Sequence, residues 1–395
     1  MSNGPDFLGA KAEGAVFASG DQDYASAIGW EPKSQTQELL AAAKKKFPRA
    51  FAAPPAMLDS QTMNDWLDSG VKQPPPGQLF GPFWLVEEMA VLFAATGIGK
   101  SALATQIAES IARGHTIEPF DSKYSVGPQR VLYLDFELNN IQLAMRYSIV
   151  DGETREFGRK YDFSPDLHRS EMLWNGQITE GYDGFSDMFF TAVRNEVHEY
   201  DPTVVIVDNI TFLDRSSTSN VNAALSIMRS LQDLKRLYGL SILVLAHTRK
   251  RRPWMPLSYL DLQGSVNIAN FADSTFAIGQ SRHSPDQRYV KQIKVRSGRP
   301  EYDETNVPVY TLGKFDQAAA NGTCQDGESV DNFLGFEFVE CTDEDDLLET
   351  RKENLKISSN VIRKIRKLAA QGETARSIAR ELTVSKSTVQ KYAPK

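Results

Sequence analysis

Residues Ala94 to Ser101 read A-A-T-G-I-G-K-S, directly after the apolar run Met89-Ala90-Val91-Leu92-Phe93 and directly before a helical pattern. Glycines at this spacing let successive backbone N–H groups curl around phosphate oxygens. A lysine then reaches the β and γ phosphates, and a serine hydroxyl ligates Mg²⁺. The spacing therefore predicts a nucleoside-triphosphate site with Mg²⁺, formed by Ala95, Thr96, Gly97, Ile98, Gly99, Lys100, Ser101 and Ala102. Ala94 stands where a first glycine is usual.

Phosphoryl transfer on such a loop needs a carboxylate at the end of a second strand to hold the metal shell. The run Val204-Val205-Ile206-Val207 followed by Asp208 has that form, so Asp208 is the expected metal-side acid beside Ser101. A third run, Arg130 to Leu138, reads R-V-L-Y-L-D-F-E-L and ends in two acids. A carboxylate at the tip of a parallel strand faces the same crevice, which makes Glu137 the candidate base for the attacking water, with Asp135 the alternative.

The elements that must carry these groups alternate. Strand-like runs fall at Ala90 to Ala94, Arg130 to Leu134, Thr203 to Val207, Ser241 to Ala246, Ser274 to Gly279 and Tyr289 to Val295. Helical patterns at Ser101 to Arg113, Gly184 to Glu199 and Asn220 to Leu237 separate the earlier ones. Continuous apolar strands are covered on both faces, so the expected fold class is α/β, a P-loop domain with a mostly parallel sheet, plus a small all-α domain. The expected organisation is a partly flexible region over 1–60, with one helix from Ser34 to Lys46, and an ATPase core over 61–315. An acidic edge hairpin and linker follow over 316–356, then a helical domain over 357–395.

A chain of 395 residues, 41% hydrophobic, can bury a sizeable core. It has no apolar run near the roughly 18 residues of a membrane span and no basic-then-apolar leader pattern, so a cytoplasmic protein without a membrane partner is expected. The cysteines, Cys324 and Cys341, lack metal-ligand spacing. Charge is uneven. Residues 351–395 hold twelve Lys and Arg against three Asp and Glu, so a chain of net charge −7 carries −16 before that point. A basic tail on an acidic body points to nucleic acid.

The series strand, P-loop, helix, then L-D-F-E, V-V-I-V-D-N, V-L-A-H-T and K-V-R-S-G resembles the RecA-type ATPases, nearest to hexameric replicative and plasmid RepA-like helicases, over about residues 75 to 315. The resemblance implies the RecA-like fold and a homo-oligomer, a hexamer favoured, with ATP sites between subunits and single-stranded DNA in a central channel. It implies phosphate and Mg²⁺ contacts at Lys100 and Ser101, water activation by Glu137, metal support from Asp208 and a γ-phosphate sensor at His247. It also implies that Lys294 and Arg296 reach into the neighbouring site, where a cation stabilises the transferred phosphoryl. Arg249, Lys250, Arg251, Arg252 and Trp254 would line the channel, cations and a stacking ring suiting a single strand, with Asp214 to Asn220 as a second channel loop.

The tail reads as three helices, Ser358 to Ala370, Thr374 to Leu382 and Ser385 to Tyr392, over a small core of Ile365, Leu368, Ile378, Ala379, Leu382, Val384 and Val389. It resembles the resolvase-type helix-turn-helix, in which the last helix enters the duplex major groove, with Lys386, Ser387, Gln390 and Lys391 as candidate contacts. A protein-interaction module is the other use of such a fold. The combined expectation is an ATP-driven, ring-forming DNA motor, a helicase of a bacterial or mobile-element replication system. The alternative is a non-unwinding ATPase regulator of recombination, transposition or defence.

Overall fold

The computed structural model describes residues 41, 59–173, 176–210, 221–248, 255–262, 266–296, 298–316, 330–348, 359–382, 384 and 386–393. Two units divide the chain, Met1–Pro75 and Pro76–Lys395. The expected flexible region and its helix lie outside the described residues except at 41, 59 and 60. The first unit contributes α1 (Met63–Gly70), started by a capping box in which Thr62 and Asp65 satisfy each other's backbone N–H groups.

In the second unit, β1 (Gln78–Phe80) and β2 (Trp84–Leu85) form a small hairpin before β3 (Met89–Ala94). Then come α2 (Lys100–Arg113), β4 (Val131–Asp135), α3 (Asn140–Arg146), the hairpin β5 (Ser148–Val150) and β6 (Phe157–Lys160), and β7 (Leu167–Glu171). These lead to α4 (Phe185–Tyr200), β8 (Val204–Asp208), α5 (Val221–Tyr238), β9 (Ser241–His247), α6 (Val266–Phe271) and β10 (Ser274–Gln280). The antiparallel strands β11 (Gln287–Val295), β12 (Val307–Phe315) and β13 (Phe333–Thr342) complete the sheet, and α7 (Ser359–Ala370), α8 (Ala375–Glu381) and α9 (Lys386–Tyr392) form the tail.

Among the described residues the main sheet has the order β13-β12-β11-β10-β3-β9-β8-β4-β7, parallel from β10 to β7. This is the expected mixed α/β class with a mostly parallel sheet. Alternation along β3 explains its two apolar faces. Met89, Val91 and Phe93 pack with α4 and α5, whereas Ala90, Leu92 and Ala94 pack with α2 and the β1–β2 aromatics. Burial on both faces leaves no polar position in the middle of such a strand.

The hairpin of β12 and β13 extends the sheet and also grips α2. The Gln106 amide donates to the Phe336 carbonyl at 3.0 Å and accepts from the Phe336 N–H at 2.8 Å, tying the P-loop helix to β13. The acidic tract that follows is drawn into the core at Glu344, which is fully buried. Its carboxylate accepts from Leu257 N at 2.7 Å, Tyr289 Oη at 2.9 Å and Lys291 Nζ at 2.6 Å.

A buried carboxylate with three donors ties the segment after β13 to β11 and to the chain after β9. Among the described residues Glu344→Ala leaves the Lys291 ammonium only the exposed Glu304 at 3.4 Å and takes the acceptor from two further donors, so urea unfolding is expected to show a loss of up to about 3–5 kcal/mol. Glu344→Gln is expected to lose less, because the amide still accepts hydrogen bonds. Equal unfolding midpoints for wild type and Glu344→Ala would contradict this.

Candidate nucleotide site and nucleic-acid surfaces

All parallel strands end at one sheet edge, and strand register decides which side chains meet there. Asp135 of β4 lies opposite Asp208 of β8, and Ala94 of β3 lies opposite His247 of β9. The P-loop turns over this edge with Gly97 at φ +79° and Gly99 at φ +102°, left-handed backbone that only glycine adopts without strain. A Cβ on Gly99 would come within 2.8 Å of Leu312 Cδ2 and 3.1 Å of the Phe336 ring. The antiparallel hairpin thus backs the loop closely.

Lys100 is buried, and its Nζ donates to Asp208 Oδ1 at 3.0 Å. The other oxygen, Oδ2, accepts from the Tyr133 hydroxyl at 2.8 Å. Burial, reinforced by the Asp208 and Asp135 charges, holds the Tyr133 phenol well above its ordinary range, so it stays a donor. Asp208 is fully buried and Ser101 nearly so. A serine hydroxyl and a carboxylate beside a phosphate loop are hard oxygen donors that suit Mg²⁺.

The two acids left open by the sequence differ in their surroundings. Asp135 is saturated: Oδ1 accepts from the N–H groups of Glu137 and Leu138, both at 3.0 Å, and Oδ2 pairs with Arg169 Nε at 2.9 Å. Arg169 also donates to the Leu138 carbonyl and to Asn140 Oδ1, so Asp135 and Arg169 together build the bend that carries Glu137. Glu137 itself is 38% exposed at the crevice. Its Oε1 accepts from Asn209 Nδ2 and lies 3.5 Å from His247 Nε2, which is 3.1 Å from Asn209 Nδ2.

Lys294 and Arg296 sit elsewhere. Strand β11 runs antiparallel to β10, with Val295 opposite Ser274, so the pair lies at the opposite edge of the sheet from the P-loop of its own chain. Five strand residues at about 3.3 Å each put that edge roughly 17 Å away. Lys294 Nζ donates to the Ala269 and Ala272 carbonyls at 2.8 Å, and burial together with Arg296 pulls its ammonium below the usual lysine range. Arg296, 58% exposed, pairs with Asp273 at 2.5 Å.

Arg249, Lys250, Arg251, Arg252 and Trp254 lie outside the described residues, as does the segment 214–220. In the tail, Ile365, Ile378 and Val389 form the buried centre, with Leu368, Ala379, Leu382 and Val384 around it. Thr374 caps α8 by accepting from Ser377 N at 3.2 Å. Lys386, Gln390 and Lys391 are exposed on α9; the side chain of Ser387 lies outside the described set. Among the described residues no helix is long and apolar enough to cross a membrane.

A phosphate loop, a buried carboxylate beneath it and a further acid at the same sheet edge define a P-loop ATPase. The chain belongs to the AAA domain family, whose model matches residues 52–253. A second family model, the helix-turn-helix domain of resolvase, matches residues 353–395. No curated protein matches the chain. The protein is accordingly a DNA-associated ATPase.

Tyr133, Arg169 and Asn209 escaped the reading of the sequence. Tyr133 shares a strand face with Asp135 by simple alternation, and Asn209 is the immediate neighbour of Asp208, so both were within reach of that reading. Arg169 arrives on β7, whose sequence L-H-R-S-E carries no apolar alternation. Loosening its bend is expected to cost turnover without binding: Arg169→Ala should lower kcat about 10- to 100-fold and leave the affinity for a fluorescent ATP analogue within about twofold. An unchanged kcat would show that the bend holds Glu137 without this guanidinium.

Proposed function

We propose that the protein is an ATP-driven, ring-forming DNA motor of the replicative, RepA-like helicase kind, acting in the cytoplasm on a DNA of a bacterial or mobile-element system. Support comes first from the convergence of Lys100, Ser101, Asp208, Glu137 and His247 on one sheet edge. In this reading the region over 61–315 is the motor, 316–356 its edge and linker, and 357–395 the targeting domain.

Lys100 and the loop N–H groups, from Ala95 to Ala102, hold the phosphates of ATP. Ser101 and Asp208 would hold Mg²⁺, which would supply charge neutralisation for the phosphates. Glu137 takes a proton from water as its oxygen attacks the γ phosphorus, the bond to the β–γ bridging oxygen breaks, and ADP departs with that electron pair. Asn209 and His247 hold the Glu137 carboxylate over the crevice, where His247 also meets the γ-phosphate. Lys294 and Arg296, too far from their own loop, serve a neighbour's site, which makes hydrolysis depend on assembly. Arg249 to Arg252 and Trp254 hold the single strand in the channel, and Lys386, Ser387, Gln390 and Lys391 contact the duplex.

A non-unwinding regulator of recombination, transposition or defence is the second reading. The resolvase-type match over residues 353–395 favours it, since such a module reads duplex sequence. Strand displacement from a forked duplex separates the two. The motor reading expects ATP-dependent displacement by wild type, lost in Glu137→Gln together with a fall of about 10²–10⁴-fold in hydrolysis but with nucleotide binding intact. DNA-stimulated hydrolysis without displacement would select the regulator.

The trans role has its own test. Lys100→Ala and Arg296→Ala, each inactive alone, are expected to recover activity when mixed, because one type of interface then joins an intact loop to an intact arginine. Proven mixed oligomers without recovery would remove Arg296 from the neighbouring site.

A further inference from the structure

Arg288 opens β11 beside the P-loop and has a role in none of the chemistry above. It is 8% exposed, and its hydrogen bonds all run to backbone carbonyls: Nε to Ile98 at 3.0 Å, Nη1 to Pro285 at 2.6 Å and to Gln287 at 2.9 Å. Among the described residues no carboxylate forms an ion pair with it. Burial pulls its guanidinium below the usual arginine range, opposed only by the charge of Asp286. A buried cation without a counter-ion is costly, and the cost falls when an anion arrives nearby.

The contact with Ile98 gives that cation a direction. Ile98 stands between Gly97 and Gly99 in the loop, and in a trans peptide the carbonyl and the following N–H point opposite ways. Fixing the Ile98 carbonyl on Arg288 therefore turns the Gly99 N–H away from the guanidinium. Leu312 and Phe336 crowd Gly99, within 2.8 Å and 3.1 Å of where a Cβ would stand, and so hold the loop against the antiparallel hairpin.

We propose that Arg288 is a positioning residue for triphosphate binding: it orients the Ile98–Gly99 peptide and supplies a buried positive charge behind the loop. The inference rests on the reading of residues 95–102 as the phosphate loop, and it deepens that reading by adding a cation from the antiparallel extension. It assigns Arg288 to binding and not to the chemical step, so affinity and turnover should separate.

The test uses full-length protein and a fluorescent ATP analogue, with steady-state hydrolysis and nucleotide-free thermal unfolding in parallel. Arg288→Met is expected to weaken binding about ten- to hundredfold, the range for losing a charge-assisted contact, while turnover at saturating ATP stays within about threefold. Arg288→Lys keeps the charge and loses the fork, so its affinity should lie between the two. Lys100→Ala is the control for the loop itself. If Lys100→Ala loses binding while Arg288→Met binds like wild type, the Arg288 inference falls and the loop reading stands. If neither variant changes affinity, the loop reading falls and takes the inference with it. Should Arg288→Met fail to fold, wild-type affinity in a folded Arg288→Lys overturns the orienting role.

Discussion

The structure turns on one buried ion pair, Lys100 with Asp208. Neither charge has water to fall back on, so each must be matched by protein or by ligand. The lysine neutralises the carboxylate, and Tyr133 satisfies the second oxygen. On the proposed function, the phosphates of ATP would compete for the same ammonium, and Asp208 would then be free to help hold Mg²⁺. On that reading, charge balance in this small volume would couple nucleotide and metal binding.

That pair can form only because distant parts of the chain hold its members still. Gly99 lets α2 begin in a backbone conformation that presents Lys100 inward, and Gln106 then ties the same helix to β13. Register between β4 and β8 sets Asp135 opposite Asp208, and Arg169 fixes the bend beyond it. Glu344, deep among Tyr289 and Lys291, ties the segment after β13 to β11 and, through the Leu257 N–H, to the chain that follows β9. The site is thus supported from both ends of a nine-stranded sheet, counted over the described residues.

Much of this was legible in the order of the residues. The apolar runs of β3, β4, β8, β9 and β10 are buried on both faces, which writes them plainly as hydrophobic segments of strand length. The tail helices were legible for a different reason, since caps and a Gly at residue 372 mark their ends. Polar strands were not. β7 is only half-buried along L-H-R-S-E, and the β12–β13 ladder is closed by residues separated by a long intervening segment. Glu344 lies in an acidic run that looks like solvated linker, and only Lys291, 53 residues earlier, makes its burial affordable. Strand-end position favoured Glu137 over Asp135 as the base, but the contrast in their surroundings lies in partners that only folding brings around them.

A competition for Lys100 makes a sharp statement about binding without metal. On the proposed function, metal-free ATP would draw Lys100 away from Asp208 in wild type and leave that carboxylate only the Tyr133 hydroxyl against a like-charged phosphate. Asp208→Asn removes both penalties while keeping the shape of the side chain. Calorimetric titration of ATP into wild type and Asp208→Asn, with all divalent metal chelated, tests this directly. The account predicts tighter binding by Asp208→Asn; equal or weaker binding would contradict it.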